Sequence, residues 1–249
     1  MALDCSLEVH KYHIQTNVIN STLKFAIITD LHSSSYGKNM EQLISVIMAE
    51  NPDAVLMVGD IFDCRQDNQN SWTFTTEIAQ KYPCYYVTGN HEIASTDLED
   101  TLQRLRLLGV KVLTGTSDIL RVNNKSIRIC GVDDALSPNF MSQLHDLASE
   151  YTHAEYHILL SHRPEYISTY AESGVDLIIS GHTHGGQWRI PWFIDNGVYA
   201  PNQGVFPEYT GGLYKFNNTQ LLVSRGLDKQ SVELPRIFNR PEVVILTLS

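Results

Sequence analysis

Five short clusters in this chain carry the donor atoms of a divalent-metal site. They are Asp30-Leu31-His32, Gly59-Asp60, Gly89-Asn90-His91-Glu92, Ser161-His162 and Gly181-His182-Thr183-His184. Together they bring Asp30, Asp60, Asn90 and the histidines His32, His91, His162, His182 and His184. Carboxylate oxygen, amide oxygen and imidazole nitrogen in one set suit Mn, Fe or Zn better than Mg or Ca. Singly, each cluster has an ordinary explanation. Asp-x-His is common in surface loops, and Gly-Asp after a strand is turn chemistry, because Gly tolerates positive φ and Asp caps locally. His182 and His184 say more, since alternate residues of an extended segment point the same way. Five clusters, each closing an apolar run, point to one shared site.

Those runs are the elements that must position the site. Residues 23–29, 54–58, 84–88, 157–160 and 177–180 lead directly into the clusters, and 126–130 is of the same kind. Four to eight apolar residues bounded by turn residues suit strands covered on both faces. In α/β sheets, ligand sites lie beyond the carboxyl ends of such strands. Helical spacing fills the intervals. Met40, Leu43, Ile44, Ile47 and Met48 form one stripe, with Pro52 just beyond its end. Thr96 with Glu99 reads as a capping box opening a helix with the stripe Leu98, Leu102 and Leu105, ended by Gly109. Ser137-Pro138 predicts a third helix start, and residues 164–171 a fourth helix closed by Gly174. Residues 212–216, 220–224 and 242–248 are strand-like. The expected class is α/β, with an antiparallel addition at the C-terminal end. No repeat, low-complexity stretch or linker divides residues 1–249, which predicts one domain.

Composition bounds the function. The 249 residues are 43% hydrophobic and 18% charged, enough for a substantial core. Eighteen basic residues face 28 acidic ones, a net charge of -10, so the basic footprint of a nucleic-acid binder is missing. No apolar run reaches the roughly 18 residues that span a bilayer. Residues 1–10 lack the basic-then-apolar pattern of a signal peptide, and the four cysteines, Cys5, Cys64, Cys84 and Cys130, form no CxxC pair. Reduced cysteines and a cytoplasmic address are expected.

With its motifs D-x-H, G-D, G-N-H, a lone His and G-H-x-H in order between residues 30 and 184, the chain resembles the calcineurin-like metallophosphoesterases. Gly181-His182-Thr183-His184-Gly185-Gly186-Gln187, Val223-Ser224-Arg225-Gly226-Leu227 and Arg240-Pro241-Glu242 are similar to a bacterial branch of small single-domain members. The resemblance implies a layered α-β-β-α fold with mixed sheets and a strand-rich C-terminal end. It also implies a role for each site residue. Asp30, His32 and His184 would bind a first divalent ion, Asn90, His162 and His182 a second, and Asp60 would bridge them. Two ions about 3.5–4 Å apart clamp the attacking and leaving oxygens of an in-line displacement. With two ligand carboxylates and a bridging hydroxide as nucleophile, the site keeps a charge near +1, which attracts phosphate. His91 would act on the leaving group as general acid, oriented by Asp63.

Other residues are read more plainly. Glu92 is expected to support the site, and Arg65 does not inherit the phosphatase arginine, because Cys64 intervenes. Trp188, Arg189, Pro191 and Trp192 are candidates for a substrate rim, Arg225 is expected to pair with an acidic neighbour, and Asp133-Asp134 receives no role. The expected function is hydrolysis of a small phosphodiester or phosphomonoester. A nuclease with the same core and a non-catalytic metal-binding scaffold are the alternatives. Acidic balance opposes the first, and the complete motif set opposes the second.

Overall fold

The computed structural model describes residues 2–16, 18, 22–122, 125–152, 155–190, 196–229 and 235–249. In chain order its elements are β1 (Glu8–Ile14), β2 (Leu23–Ile28), α1 (Glu41–Glu50), β3 (Ala54–Val58), α2 (Gln69–Ala79), β4 (Cys84–Val87), α3 (Asn90–Ile93), α4 (Leu98–Leu107), β5 (Lys111–Val112), β6 (Thr116–Val122), β7 (Lys125–Gly131), α5 (Phe140–Ala148), β8 (Tyr156–Leu160), α6 (Ile167–Glu172), β9 (Leu177–Ser180), β10 (Tyr199–Ala200), β11 (Gly204–Val205), β12 (Gly212–Phe216), β13 (Thr219–Val223) and β14 (Glu242–Leu248).

Strand side chains alternate between faces, and here both faces are apolar. Phe25 and Ile27 of β2, Leu56 and Val58 of β3, Ile158 and Leu160 of β8 and Leu177 and Ile179 of β9 meet in one central core. The alternate residues Ala26 and Ile28, Val55 and Met57 face Leu43 and Ile47 of α1, Phe74 and Ile78 of α2, and Leu102 and Leu105 of α4. On the far side, Leu159, Ile178, Leu221 and Val223 face Phe140, Leu144 and Leu147 of α5 and Ile167 and Tyr170 of α6. Helices therefore cover two sheets that pack face to face, an α-β-β-α arrangement.

Among the described residues the first large sheet has the order β1-β14-β2-β3-β4-β5 and the second β12-β13-β9-β8-β7-β6. β2, β3, β4 and β5 are mutually parallel, as are β7, β8, β9 and β13. Antiparallel pairing enters through β14 on β2, β12 on β13 and β6 on β7. Both sheets are mixed, and the strand-rich C-terminal end feeds both of them. The strands leading into the five clusters are neighbours within their sheets, β2, β3 and β4 in one and β8 and β9 in the other. Their carboxyl ends meet across the central core.

Two helix starts differ from the sequence expectation. α4 begins after Asp97 with no side-chain cap; Thr96 Oγ1 bonds its neighbour Asp97 Oδ1 at 3.2 Å, so the Thr96–Glu99 capping box is absent. α5 begins at Phe140, because Ser137 is held in a turn by its N–H bond to Asp134 O (2.8 Å). No helix among the described residues is long and apolar enough to cross a membrane.

Leu56 is fully buried in the core that joins the sheets. Leu56→Ala is expected to lower stability by about 2–5 kcal/mol, whereas Leu107→Ala, at a position 81% exposed, changes it by no more than about 0.5 kcal/mol. Urea unfolding followed by tryptophan fluorescence checks the contrast.

Candidate metal centre

The loops after β2, β3, β4, β8 and β9 bring the candidate donors together. Asp30, His32 and His184 form one group with donor atoms mutually within 4.8 Å, and Asp60, His162 and His182 form another. Asp60 joins the two. Its Oδ2 lies 3.1 Å from His162 Nε2 and 3.6 Å from His32 Nε2. Asn90 lines the same cleft as Asp60, His91, His182 and His184, and its Oδ1 is buried with no hydrogen-bond partner. His32 Nε2 and His162 Nε2 are likewise buried without one. Buried polar atoms are nearly always partnered; these unpartnered atoms all belong to the candidate donors and fit a set of metal ligands.

The other ring nitrogens are fixed from behind. His32 Nδ1 donates to Asp63 Oδ2 (3.0 Å), His162 Nδ1 to Val58 O (2.9 Å) and His182 Nε2 to Asn202 Oδ1 (2.7 Å). Behind His184, Asp228 Oδ2 lies 4.0 Å from Nδ1, and Ser34 Oγ donates to the other oxygen of that carboxylate at 3.0 Å. The bonds at His32, His162 and His182 each select a tautomer and leave the opposite nitrogen open to a ligand role, whereas His184 Nδ1 makes no hydrogen bond.

Charge at the site is strongly perturbed. Burial, and then Asp60 beside it, raise Asp30 above the ordinary carboxylate range. Burial would raise Asp60 too, yet the His162 and His32 imidazoles hold it well below. Burial and His162 push His182 down to about 4, and burial, His32 and Arg236 push His184 well below its usual value. These two rings are therefore neutral, the form that binds a metal. His32 is opposed by burial, but its bond to Asp63 and the Asp60 charge lift it to about 9. Two buried carboxylates sharing imidazoles in this way are a receptor for cations.

Asp63 connects the centre to His91. Its Oδ2 is 3.0 Å from His32 Nδ1 and 3.3 Å from His91 Nδ1. Despite burial, these bonds hold Asp63 well below the ordinary range. His91 is also tied through its backbone, whose N–H donates to Asp60 Oδ1 at 2.9 Å.

Glu92 supports the loops in a way that its position in the sequence does not reveal. Its buried carboxylate accepts from the backbone N–H of Asp60, Ile61, Phe62 and Gly89 at 2.8–3.0 Å. Burial and the Asp60 charge push it up to about 7, against those donors. Two glycines permit the close approach. A Cβ at Gly89 would overlap Asp60 Oδ1, and one at Gly181 would overlap Asp30 Oδ2.

The remaining candidates divide. Arg225 pairs with Glu242 (Nε to Oε2, 2.7 Å) and Glu8 (3.0 Å), as expected of a structural arginine. Trp188 Nε1 donates to Pro235 O (2.9 Å), so its polar edge is used within the fold. Pro191 and Trp192 lie outside the described residues. Arg163, Asn202 and Asp228 were not anticipated in their places. Arg163 adjoins His162 in sequence, a signal that could have found it; Asn202 and Asp228 carry no sequence signal.

The chain is similar to known proteins in sequence and in fold. The calcineurin-like phosphoesterase family model matches residues 23–186. An uncharacterized metallophosphoesterase of Campylobacter jejuni is 29% identical over 97% of this chain, which spans 63% of that relative's length. Phosphodiesterase YaeI of Escherichia coli is 26% identical, over 90% of this chain and 82% of its own. Among solved structures, TT1561 of Thermus thermophilus aligns with a TM-score of 0.57 and 11% identity over 84% of this chain and 92% of that one, a likeness of fold. Because the matched span runs from the first residue of β2 past His184 and holds all five clusters, the chain belongs to the calcineurin-like phosphoesterase family.

Proposed function

We propose that the chain hydrolyses a small phosphodiester, with two divalent ions held by Asp30, His32 and His184 on one side, Asn90, His162 and His182 on the other, and Asp60 between. The observation that carries this reading is the place of Asp60 Oδ2, within 3.6 Å of an imidazole nitrogen from each group. Manganese, iron or zinc suits the mixed donors. When bound, such ions supply Lewis-acid polarisation of a phosphoryl oxygen and activation of water at neutral pH.

The chain's own residues do the rest. His91, at the wall of the cleft, delivers a proton to the departing alkoxide, and Asp63 keeps its ring aligned through Nδ1 (3.3 Å), leaving Nε2 for the leaving group. Space on both sides of His91 supports a diester. One cleft of about 280 Å³ is bounded by Asp60, Arg163 and Asn202, and a groove of about 450 Å³ by Asp63, Trp72 and Arg104. His91 lines both, so a phosphorus beside it has room for a substituent on either side. The similarity to a protein named phosphodiesterase supports the same reading. Ligands come from both sheets, so the activity is proposed for one unit of two layers, acting in the cytoplasm.

The deciding assay compares bis-p-nitrophenyl phosphate with p-nitrophenyl phosphate in Mn, Zn, Fe and Mg. Higher kcat/KM for the diester is expected. Preference for the monoester overturns the diester assignment, and no hydrolysis with any metal overturns the enzyme.

Asp60→Ala is expected to strip most of both ions, since Asp30, the one carboxylate left among neutral donors, cannot offset repulsion between two cations so close. Metal analysis of the replete parent should give two ions per chain; one ion there defeats the pair, and two retained in the variant defeat the bridge. His91→Ala is expected to keep its metal and lose about 10²–10⁴-fold in kcat, with a smaller loss for p-nitrophenyl than for alkyl leaving groups. Equal losses would remove the general-acid role. Eighteen basic residues against 28 acidic ones predict that the chromogenic diester outruns DNA and RNA and depends little on salt; comparable nucleic-acid cleavage with a steep salt slope would reverse the substrate class.

A further inference from the structure

Arg163 is the basic side chain on the wall of the cleft that holds Asp60, Asn90 and His182. It is only 6% exposed, and two of its three nitrogens are committed. Nε donates to Asp134 Oδ2 at 2.7 Å, and Nη1 donates to Asn202 Oδ1 at 3.0 Å, with Glu165 Oε1 farther off at 3.8 Å. Nη2 has no hydrogen-bond acceptor among the described residues and is not one of the buried unpartnered atoms, so it keeps some exposure on a side chain that lines the cleft.

The acceptor Asn202 makes this more than a surface arginine. Its Oδ1 also accepts from His182 Nε2 at 2.7 Å, and two donors on one oxygen fix the orientation of the amide. Asn202 sits in the turn between β10 and β11 with φ 60, a left-handed conformation that Asn tolerates better than most side chains. That turn delivers one amide oxygen to an arginine and to a candidate metal ligand at once. Asp134 balances the arginine's charge. Arg163 therefore contributes direction, a fixed planar fork of N–H donors, rather than net positive potential.

We propose that Arg163 is a phosphate-binding residue whose Nη2 edge holds a non-bridging phosphoryl oxygen on the His182 side of the cleft, set in register with the metal ligands by Asn202. The proposal rests on the phosphoesterase reading, and it assigns a substrate contact to a residue outside the family motifs. The competing account is a structural tie, in which Arg163 only fastens the Asp134 turn to the β10–β11 hairpin.

Inorganic phosphate is the probe. With zinc-loaded protein, calorimetric titration of Arg163→Lys and Arg163→Gln should show metal content like the parent and phosphate binding weaker by about 10- to 100-fold, the worth of a charge-assisted hydrogen bond. KM for bis-p-nitrophenyl phosphate should rise by a similar factor, with a smaller change in kcat. Phosphate affinity within twofold of the parent in both variants would make Arg163 a structural tie. Should either variant fail to fold, the parent still decides. In guanidinium-selective ¹⁵N spectra, phosphate should shift the Arg163 signal, and an unmoved signal at saturation overturns the proposal. A parent that cleaves the diester while that signal stays still sinks the arginine and leaves the phosphoesterase standing; a parent that cleaves no ester with any metal sinks the phosphoesterase.

Discussion

Burying Asp30 and Asp60 together costs free energy that nearby positive charge must offset. Each is at most 1% exposed, and the neighbouring groups respond in opposite senses: Asp30 is pushed up, while Asp60 is held down by imidazoles. A lone cation or a proton would serve one carboxylate. The donors around them cluster in overlapping groups, and Asp60 lies within 3.6 Å of an imidazole from each of the two that flank it, so the arrangement is matched to bound positive charge. The strand order follows from that need. Loops from β2, β3 and β4 must meet loops from β8 and β9, and only face-to-face packing of the two sheets puts those carboxyl ends side by side.

The backbone at the site is bent to suit. Asp30, His32, Asp60, His182 and His184 all have positive φ, between 44 and 71°. Such conformations cost about 1–2 kcal/mol each for residues with a Cβ, and five of them persist because the surroundings over-determine them. Glu92 is one restraint, with four backbone N–H groups converging on a single buried carboxylate. Asp30 is another, since both its oxygens accept from the His182 N–H at 3.0–3.1 Å, locking the G-H-x-H loop of one sheet to the first loop of the other. The residues proposed to hold metal thus also hold the loops.

The five strands ending in donors were legible because burial on both faces leaves uninterrupted apolar runs and abrupt polar ends, as in residues 54–58 before Gly59-Asp60. Helix bodies such as α1 and α4 were legible from apolar stripes at helical spacing, while the starts of α4 and α5 were not: local turns at Asp97 and Ser137 decide the first residue. β1 escaped notice because its residues are half exposed and its pairing partner, β14, lies more than 200 residues away. α2 was hidden by a polar sequence whose buried face includes Ser71 and Thr75. The candidate donors could be read, since metal chemistry demands particular residue types. Of their supports, Asp63 and Glu92 could be read beside the donors, and the more distant ones could not. Asn202 and Asp228 are common residue types in loops, and only the fold places them behind His182 and His184.

The same logic explains the strand-rich C-terminal end. Beyond the ligands, residues 224–227 return to the first loop: Leu227 N–H bonds Thr29 O and Asp30 O, and a Cβ at Gly226 would press on the Asp30 side chain. Arg225 then binds Glu242 through side chain and backbone, and Glu242 N–H bonds Gly226 O, which seats the start of β14. β14 lies between β1 and β2, so the last strand braces the strand that carries Asp30. Segments far from the donors in sequence therefore restrain the backbone at Asp30, a residue with a left-handed conformation and a buried carboxylate. A two-sheet scaffold closed by its own final strand is a physical means of keeping such a residue in place.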